Sequence, residues 1–307
     1  NISSQIVSID SLKQGEFLID ADNVVQVQYI ANDGFMIQHG STKVEFDCIF
    51  SNAYNLYHVP TAQAITQERS ATSPFDNITV LMTSHKHDDH INSSYVAEHL
   101  TNDINSILVC PAQVGTLMQS TSSYNTIKNR IVTITPASST KIDTTINDIS
   151  FKIISLPHPN DASKQMQNIG FIFSINGYKC FHPGDAVTND LSVYQSLDLS
   201  SEQIDIAFFP RWYFDTENGT FGTDIMKYIN PKAIVAMHIN TTKYAYYKNA
   251  ARSISGIAPV YFMETQMQSM TFTRASNISS ATTKDCAGIT GGSATIDACG
   301  QCTGGTT

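Results

Sequence analysis

Apolar and polar residues alternate through VVQVQYIANDGFMIQHGSTKVEFD, from Val24 to Asp47. A period of two is the side-chain period of a β-strand with one covered face. Turn signals at Asn32-Asp33-Gly34 and His39-Gly40-Ser41 divide the segment into three strands. Residues 51–77 read as a long polar loop that holds Tyr54, Tyr57, His58 and Pro60. The apolar run ITVLMTS then leads directly into HKHDDH, and Asn92 is placed to cap a helix whose Tyr95, Val96, His99 and Leu100 share one face. Further strands are expected at SILVC, IVTIT, ISFKIISL, IGFIFSI, KCFHP, IDIAFFP, KAIVAMH and PVYFMETQ, with helices around Pro111–Gln119 and Thr223–Tyr228. Strands outnumber helices and are interspersed with them, so two mixed sheets covered by helices satisfy the pattern.

The polar run from Thr273 to Lys284 has no periodicity and reads as a linker. The expected organisation is a body over residues 1–274, a linker over 275–284 and a Cys-rich module over 285–307. Composition adds exclusions. A net charge of -9 with only 15% charged residues argues against a nucleic-acid partner, which calls for clustered Lys and Arg. No apolar run reaches the ~20 residues of a transmembrane helix. The first residue is Asn1 rather than Met, which raises the expectation of a removed targeting segment. Cys48, Cys110 and Cys180 lie within or beside strand-like runs and read as buried apolar thiols. Cys286, Cys299 and Cys302 crowd a Gly-rich stretch too small for a core, which calls for disulfides, ions or a partner. Disulfides would place the protein outside the cytosol, secreted or on the cell surface, with attachment to a surface or matrix through this module.

His85-Lys86-His87-Asp88-Asp89-His90 carries the sharpest chemistry, because it packs three imidazoles and two carboxylates into six residues at a strand end. Neutral imidazole and carboxylate are the ligands that borderline divalent metals prefer. On a tight turn His85 and His87 can hold one metal while Asp89 and His90 reach a second. His158, Asp185 and His238 each follow a strand-like run, so they can join the same edge. His182 precedes the Gly184-Asp185 pair and suits a supporting role behind the ligands. His39 and His99 read as structural or surface residues. His58 and Tyr54 in the long loop, with Arg211, Trp212 and Tyr213 after IDIAFFP, are candidate substrate contacts.

The order H-x-H-x-D-H, lone His, Gly-Asp, final His resembles the metallo-β-lactamase superfamily, over roughly residues 20–265 and including VEFD at Asp47. The resemblance implies an α/β (α+β) fold, an αββα sandwich with two divalent metals in the cleft between its sheets. Position by position, it implies His85, His87 and His158 on one metal, Asp89, His90 and His238 on the other, and Asp185 bridging them. Zn is the first expectation, with Mn or Fe accepted by the same ligands. A water held between the metals, acidified to a pKa of about 7, would attack a small ester, lactone or phosphodiester, with Asp89 orienting it and moving its proton. His87 stands where the family's diiron redox members carry Glu, which favours hydrolysis. NIGFIFSINGYKCFHPGDA and INPKAIVAMHIN are similar to the branch that contains ascorbate-phosphate lactonase and the phospholipase D type acting on N-acyl-phosphatidylethanolamine. The antibiotic-degrading members place a Cys near the bridging position, where this chain has Asp185, and no insertion resembles the arm of the transfer-RNA-processing relatives.

The tail resembles Cys-rich repeats that end some secreted bacterial proteins, of the form DC-x-G…G-x-A…D-x-CG-x-C-x-GG. Two rival functions stand beside the hydrolase. One is a non-catalytic secreted binding protein that retains the fold, against which the complete ligand set speaks. The other is an iron-dependent oxidoreductase, which His87 disfavours.

Overall fold

The computed structural model describes residues 5–8, 23–159, 165–215, 222–274, 295–296 and 302–303. Contacts divide the chain into two units, Asn1–Thr273 and Arg274–Thr307. In chain order the first unit runs β1 (Gln5–Ser8), β2 (Val24–Ala31), β3 (Gly34–His39), β4 (Thr42–Phe46), α1 (Ala62–Ser70), β5 (Val80–Met82), α2 (Ser93–Asn102), β6 (Ile107–Cys110), α3 (Ala112–Gln119), α4 (Tyr124–Ile127) and β7 (Ile131–Thr133). It continues with β8 (Lys141–Ile146), β9 (Ile149–Ser155), β10 (Ile169–Ile175), β11 (Tyr178–His182), α5 (Leu191–Ser196), β12 (Ile206–Pro210), α6 (Gly222–Ile229), β13 (Ala233–Met237), α7 (Tyr244–Ser253), β14 (Val260–Phe262) and β15 (Ser269–Thr273).

These strands form two mixed sheets. The first has the order β1-β15-β2-β3-β4-β5-β6-β7 and the second β14-β13-β12-β11-β10-β9-β8. Hairpins join β2, β3 and β4, after which β5, β6 and β7 add in parallel. The second sheet repeats that plan, antiparallel from β8 to β11 and parallel from β11 to β14. The sheets face each other across one apolar layer, where Val25, Val27, Phe35, Val44 and Phe46 meet Phe151, Phe171, Phe173, Phe208 and Val235. The opposite face of the first sheet is covered by α1 to α4, and that of the second by α5 to α7. The expected αββα sandwich is the observed architecture. It follows from strands whose two faces are both apolar, since Ile206–Pro210 and Ala233–Met237 are buried at every position.

Several elements were not expected from the sequence, β1, α4 and α5 among them, and three of the others show why. Residues 51–77 are not all loop, because α1 lies inside them, capped by the Thr61 side chain accepting from the Ala64 N–H. Only Ala64 and Glu68 of α1 are buried, so it shows no apolar stripe for a pattern to find. Strand β8 reads KIDTTI and is mostly exposed, so its alternation is weak. Helix α7 reads YAYYKNAARS and buries only Tyr244, Tyr247 and Ala251. The cap at Asn92 is as expected, its side chain accepting from the Tyr95 N–H. No helix among the described residues is long and apolar enough to cross a membrane.

In the second unit, Thr295–Ile296 (β16) and Cys302–Thr303 (β17) pair antiparallel. The proposed linker, Cys286 and Cys299 lie outside the described residues. Cys48, Cys110 and Cys180 are buried, as expected.

Candidate metal centre

The histidine-rich segment follows β5, and its neighbours arrive at the same end of the sandwich from both sheets. His158 lies just beyond β9, Asp185 beyond β11 and His238 immediately after β13. His238 adopts φ 54°, a left-handed conformation unusual for a side chain of its size, which redirects the chain as it leaves the strand. Asp47 does the same after β4, with φ 49°.

Asp47 is the anchor beneath the centre. Its carboxylate accepts from the Ser84 N–H at 2.8 Å, from the Ser84 hydroxyl at 2.6 Å and from His90 Nδ1 at 2.9 Å. Such a carboxylate–imidazole pair fixes the tautomer and turns the far nitrogen towards a ligand. Nε2 of His90 lies 3.4 Å from Asp33 Oδ2 and 3.6 Å from Asp185 Oδ1. Ser84 Oγ also contacts His85 Nδ1 at 3.0 Å, which leaves His85 Nε2 directed at His87 Nδ1, 2.9 Å away. The His158 ring packs at a steep angle against both, with centroids 4.8 Å and 4.7 Å from those of His85 and His87.

Two groups of metal-ligating atoms result. In one, His85, His87 and His158 bring ligand atoms within 4.8 Å of one another; in the other, Asp33, His90, Asp185 and His238 do so. Asp185 connects them, since its Oδ2 lies 3.8 Å from His158 Nε2 and 3.4 Å from His238 Nε2. Asp89 sits beside the second group, 3.4 Å from His238 Nε2, and accepts from the Asn32 amide at 3.2 Å. All seven sequence-nominated ligands therefore converge, and Asp33 joins them. The sequence reading treated Asn32-Asp33-Gly34 only as a turn. That hairpin tip is buried among the ligands, and Gly34 is needed there because a Cβ would meet the Asp47 carbonyl oxygen at 2.7 Å. The sequence carried no separate signal for Asp33, because Asn-Asp-Gly already suits a tight hairpin.

Electrostatics test whether cations suit this site. Burial holds His85 well below the usual imidazole range, with the neighbouring His90 adding to it. His87 is lowered by burial and by His158. Both are thus neutral donors near pH 7, as a metal requires. In the other group burial pulls His90 and His238 down, but the carboxylates outweigh it, Asp185 foremost, and both are raised well above their ordinary value. Burial pushes Asp33 far up, whereas His238 and His90 overcome the same burial at Asp185 and hold it well down. Both Asp33 oxygens, His90 Nε2 and Asp185 Oδ1 make no hydrogen bond. Without metal, protons on His90, His238 and Asp33 balance the buried acids. Divalent cations supply that charge while filling the unmet valences, so the residues fit a metal centre.

His182 is fully buried, held near pKa about 4 mainly by burial, and its Nδ1 accepts from the Gly184 N–H at 3.1 Å. It packs on Phe46 and lies 3.9 Å from Asp47, bracing the turn that presents Asp185. Gly184 has φ 59°, and a Cβ there would strike the Asn168 amide and Ser84. Asn168 in turn accepts from the Asp185 N–H at 3.0 Å.

The nominated substrate contacts separate into two groups. Trp212 lies 5.1 Å from the His238 ring, donating its indole N–H to the Ala186 carbonyl at 2.8 Å. Arg211 stands over Trp212 and bonds the Tyr247 hydroxyl at 3.3 Å. Tyr54 is half exposed, and His58 approaches the Tyr29 hydroxyl at 3.4 Å. Tyr213 is different: it is buried, stacked on Phe209 and hydrogen-bonded to the Tyr194 hydroxyl at 2.6 Å, so it supports the wall without facing a ligand. Tyr57, not nominated, packs its ring edge against His238 at 4.2 Å.

A family model described as the beta-lactamase superfamily domain matches residues 26–238, well over half the chain. The metallo-β-lactamase fold protein YhfI from Bacillus subtilis superimposes with a TM-score of 0.55 at 13% identity, covering 80% of this chain and 98% of that one. Igni18, a metallo hydrolase from the archaeon Ignicoccus hospitalis, gives 0.54 at 14% identity over 81% and 98%. An isothiocyanate hydrolase from Delia radicum gut bacteria gives 0.51 at 12% identity over 81% and 99%. At these identities the likeness is one of fold. No curated protein matches the chain in a sequence search. The family match, the αββα architecture and the convergent ligand groups together establish that this chain belongs to the beta-lactamase superfamily, in its metallo-β-lactamase form.

Proposed function

We propose that this chain is a metal-dependent hydrolase that holds two divalent cations and cleaves a small ester, lactone or phosphodiester. The observation that carries the reading is the pair of adjoining ligand groups joined through the single carboxylate of Asp185. Bound cations would supply Lewis acidity, acidifying water and stabilising an oxygen that gains negative charge. His85, His87 and His158 would hold one cation, and Asp33, His90 and His238 the other, with Asp185 shared between them.

The chain's own groups account for the remaining steps. Asp89 is fixed by the Asn32 amide, with its carboxylate beside both His90 and His238. His90 and His238 overcome the effect of burial and hold Asp89 below the usual carboxylate range, so it is an anion ready to orient water and accept its proton at Oδ. Tyr57 and Trp212 form an aromatic wall against His238 that limits water and suits an apolar substrate portion. Arg211 adds a permanent cation behind that wall, which favours substrates with a negative charge near the scissile bond. The lactonase or phospholipase-like resemblance agrees with such a site, and the Cys-rich tail supports an extracellular setting. The test is a panel of lactones, esters and phosphodiesters offered to metal-reconstituted protein. Turnover of one class that stops with chelation and returns with Zn or Mn is the expected result. A fully loaded protein that hydrolyses none of them would instead favour a binding role.

A further inference from the structure

A second group of potential ligands lies away from the histidine centre, on the helix-covered face of the first sheet. In β4 the flanking Val44 and Phe46 enter the layer between the sheets, so Glu45 points the other way, under α1 and α2. Its strand neighbours are Met36 and Leu81, both part of the apolar helix–sheet layer. Glu68 enters the same layer from α1, and Cys48 enters it from the residues just after β4. Glu45 and Glu68 are each 1% exposed. One ligand atom from each of Glu45, Cys48 and Glu68 lies within 4.8 Å of the others.

None of the four carboxylate oxygens makes a hydrogen bond. The surrounding charges do not resolve this. Lys43 is bound to Asp76 and the Pro74 carbonyl, and the Arg130 guanidinium bonds the carbonyls of Leu100, Asp103 and Ser106. His99 Nδ1 lies 3.6 Å from Glu68 Oε2 but bonds the Glu68 carbonyl at 2.7 Å. Asp103 adds a further acid nearby. Two ionised carboxylates in an apolar layer cost several kcal/mol each unless compensated. A cavity of about 10 Å³ adjoins Glu45 and Cys48, bounded by Leu81, Val96 and Leu108. That is room for one atom-sized occupant.

We propose that Glu45, Cys48 and Glu68 bind one divalent cation of the zinc or cobalt type, at a site separate from the histidine centre. A thiolate with two carboxylates suits a borderline metal, whereas Ca²⁺ and Mg²⁺ demand more oxygen ligands and no sulfur. Binding releases to solvent the Cys48 thiol proton, which the thiol otherwise donates to the Phe46 carbonyl at 3.3 Å, together with the protons that burial holds on Glu45 and Glu68. The cation would tie α1, which follows the loop carrying Tyr54 and Tyr57, to the turn that carries Asp47. This assignment stands independently of the hydrolase reading, since none of its ligands belongs to the histidine centre.

The test uses the full chain produced in cobalt-supplemented medium. Cobalt bound by thiolate gives a near-ultraviolet charge-transfer band that histidine and carboxylate ligands do not produce. The expected result is such a band, with one cobalt more per chain than the histidine centre holds. Cys48→Ser should remove both the band and one cobalt, and Glu68→Gln should likewise lose one cobalt. A His85→Ala/His87→Ala double variant should keep the band, which separates this proposal from the hydrolase assignment. Equal cobalt content in the folded wild type, Cys48→Ser and Glu68→Gln would overturn it. So would an infrared signal of a buried protonated carboxyl at neutral pH, lost in Glu45→Gln with cobalt content unchanged, since a shared proton would then occupy the place of the metal.

Discussion

The histidine centre and the Glu45–Cys48–Glu68 group both gather buried acids close to β4, and they are built in contrasting ways. The first rests on chain ends of many strands, with His85 oriented by Ser84 and His90 by Asp47. The second has a helix, a strand and the chain just beyond that strand as its sources, and its carboxylates have no orienting donors. A layer of protein surrounds the second, while His87, at the centre's rim, is only partly buried. Catalysis needs ligands held in advance around an accessible space. A structural ion needs only that folding and binding occur together. The contrast predicts that damage to the first region removes activity and leaves the fold, whereas damage to the second lowers stability and leaves the chemistry.

The largest effect is expected at the shared carboxylate. Asp185→Ala removes the one group between the two ligand sets, leaving neighbouring cations without a common anion. Elemental analysis should show loss of at least one metal, and kcat/KM should fall by about 10³-fold or more. Thermal unfolding should still be cooperative, because the apolar layer between the sheets is untouched. Full metal occupancy with retained turnover would refute the two-cation reading.

Two conservative changes then separate holding a cation from moving a proton. Asp33→Asn keeps the shape of the hairpin tip, 3.4 Å from His90 and 3.9 Å from His238, but removes the carboxylate that would face a bound cation. We expect affinity for the second cation to drop roughly 10–100-fold, with activity rescued at high metal concentration. Asp89→Asn should lower kcat by about 10²-fold while KM stays within a few-fold, and excess metal should not restore it. Identical responses to metal in the two variants would mean that Asp33 and Asp89 share one role.

How far each region could be read from the sequence follows from how it is assembled. HKHDDH concentrates ligands in six consecutive residues, and His158, Asp185 and His238 each follow an apolar run, so chemistry and strand pattern point to the same edge. The sandwich was legible for the same reason, since buried strands such as IAFFP and AIVAM are apolar throughout. Asp33 was missed because Asn-Asp-Gly satisfies hairpin geometry without further explanation. Glu45 was missed because it occupies a polar position in an alternating strand, where exposure is the ordinary inference; α1, which covers it, has no apolar stripe. Tyr213 misled in the opposite sense. Its place beside Arg211 and Trp212 suggested a substrate contact, but the 3-10 turn at Arg211–Tyr213 sends its ring into the core.

Removing the Glu45 charge gives a smaller effect, with a sign that depends on the metal. In metal-free protein burial, with a contribution from Asp103, lifts Glu45 from 4.5 to about 8 against the opposing pull of Lys43. The folded state then binds a proton that the unfolded state has already released. Stability therefore falls as pH rises from about 4.5 to about 8, and is flat above. Glu45→Gln should remove the Glu45 share of that slope and leave the share of the similarly raised Glu68, so its stability relative to wild type should increase across the window by on the order of a few kcal/mol. In metal-loaded protein the same substitution removes a ligand and should destabilise. Chemical denaturation at several pH values, with and without metal, measures both signs. An unchanged slope in the metal-free variant would show that Glu45 is not the group taking up the proton.

The smallest effect is expected at the tail. A chain ending at Arg274 loses the Cys-rich segment but none of the ligands, and β15 remains paired to β2 from Ser269–Gln28 to Thr273–Val24. Tolerance of a truncation depends on the burial and hydrogen bonding of the backbone removed, and here the sandwich keeps all of its strands. We expect kcat/KM within roughly twofold of the full chain and an unchanged metal content. The informative control is a chain ending at Gln268. It deletes β15, removes the fully buried Phe272 and nearly buried Met270 from the core, and leaves β2 as an unpaired edge. Loss of two such side chains costs several kcal/mol, so this shorter chain should be unfolded or prone to aggregation. Should the Arg274 chain instead fold normally and lose its activity, residues beyond 274 would have to complete the site.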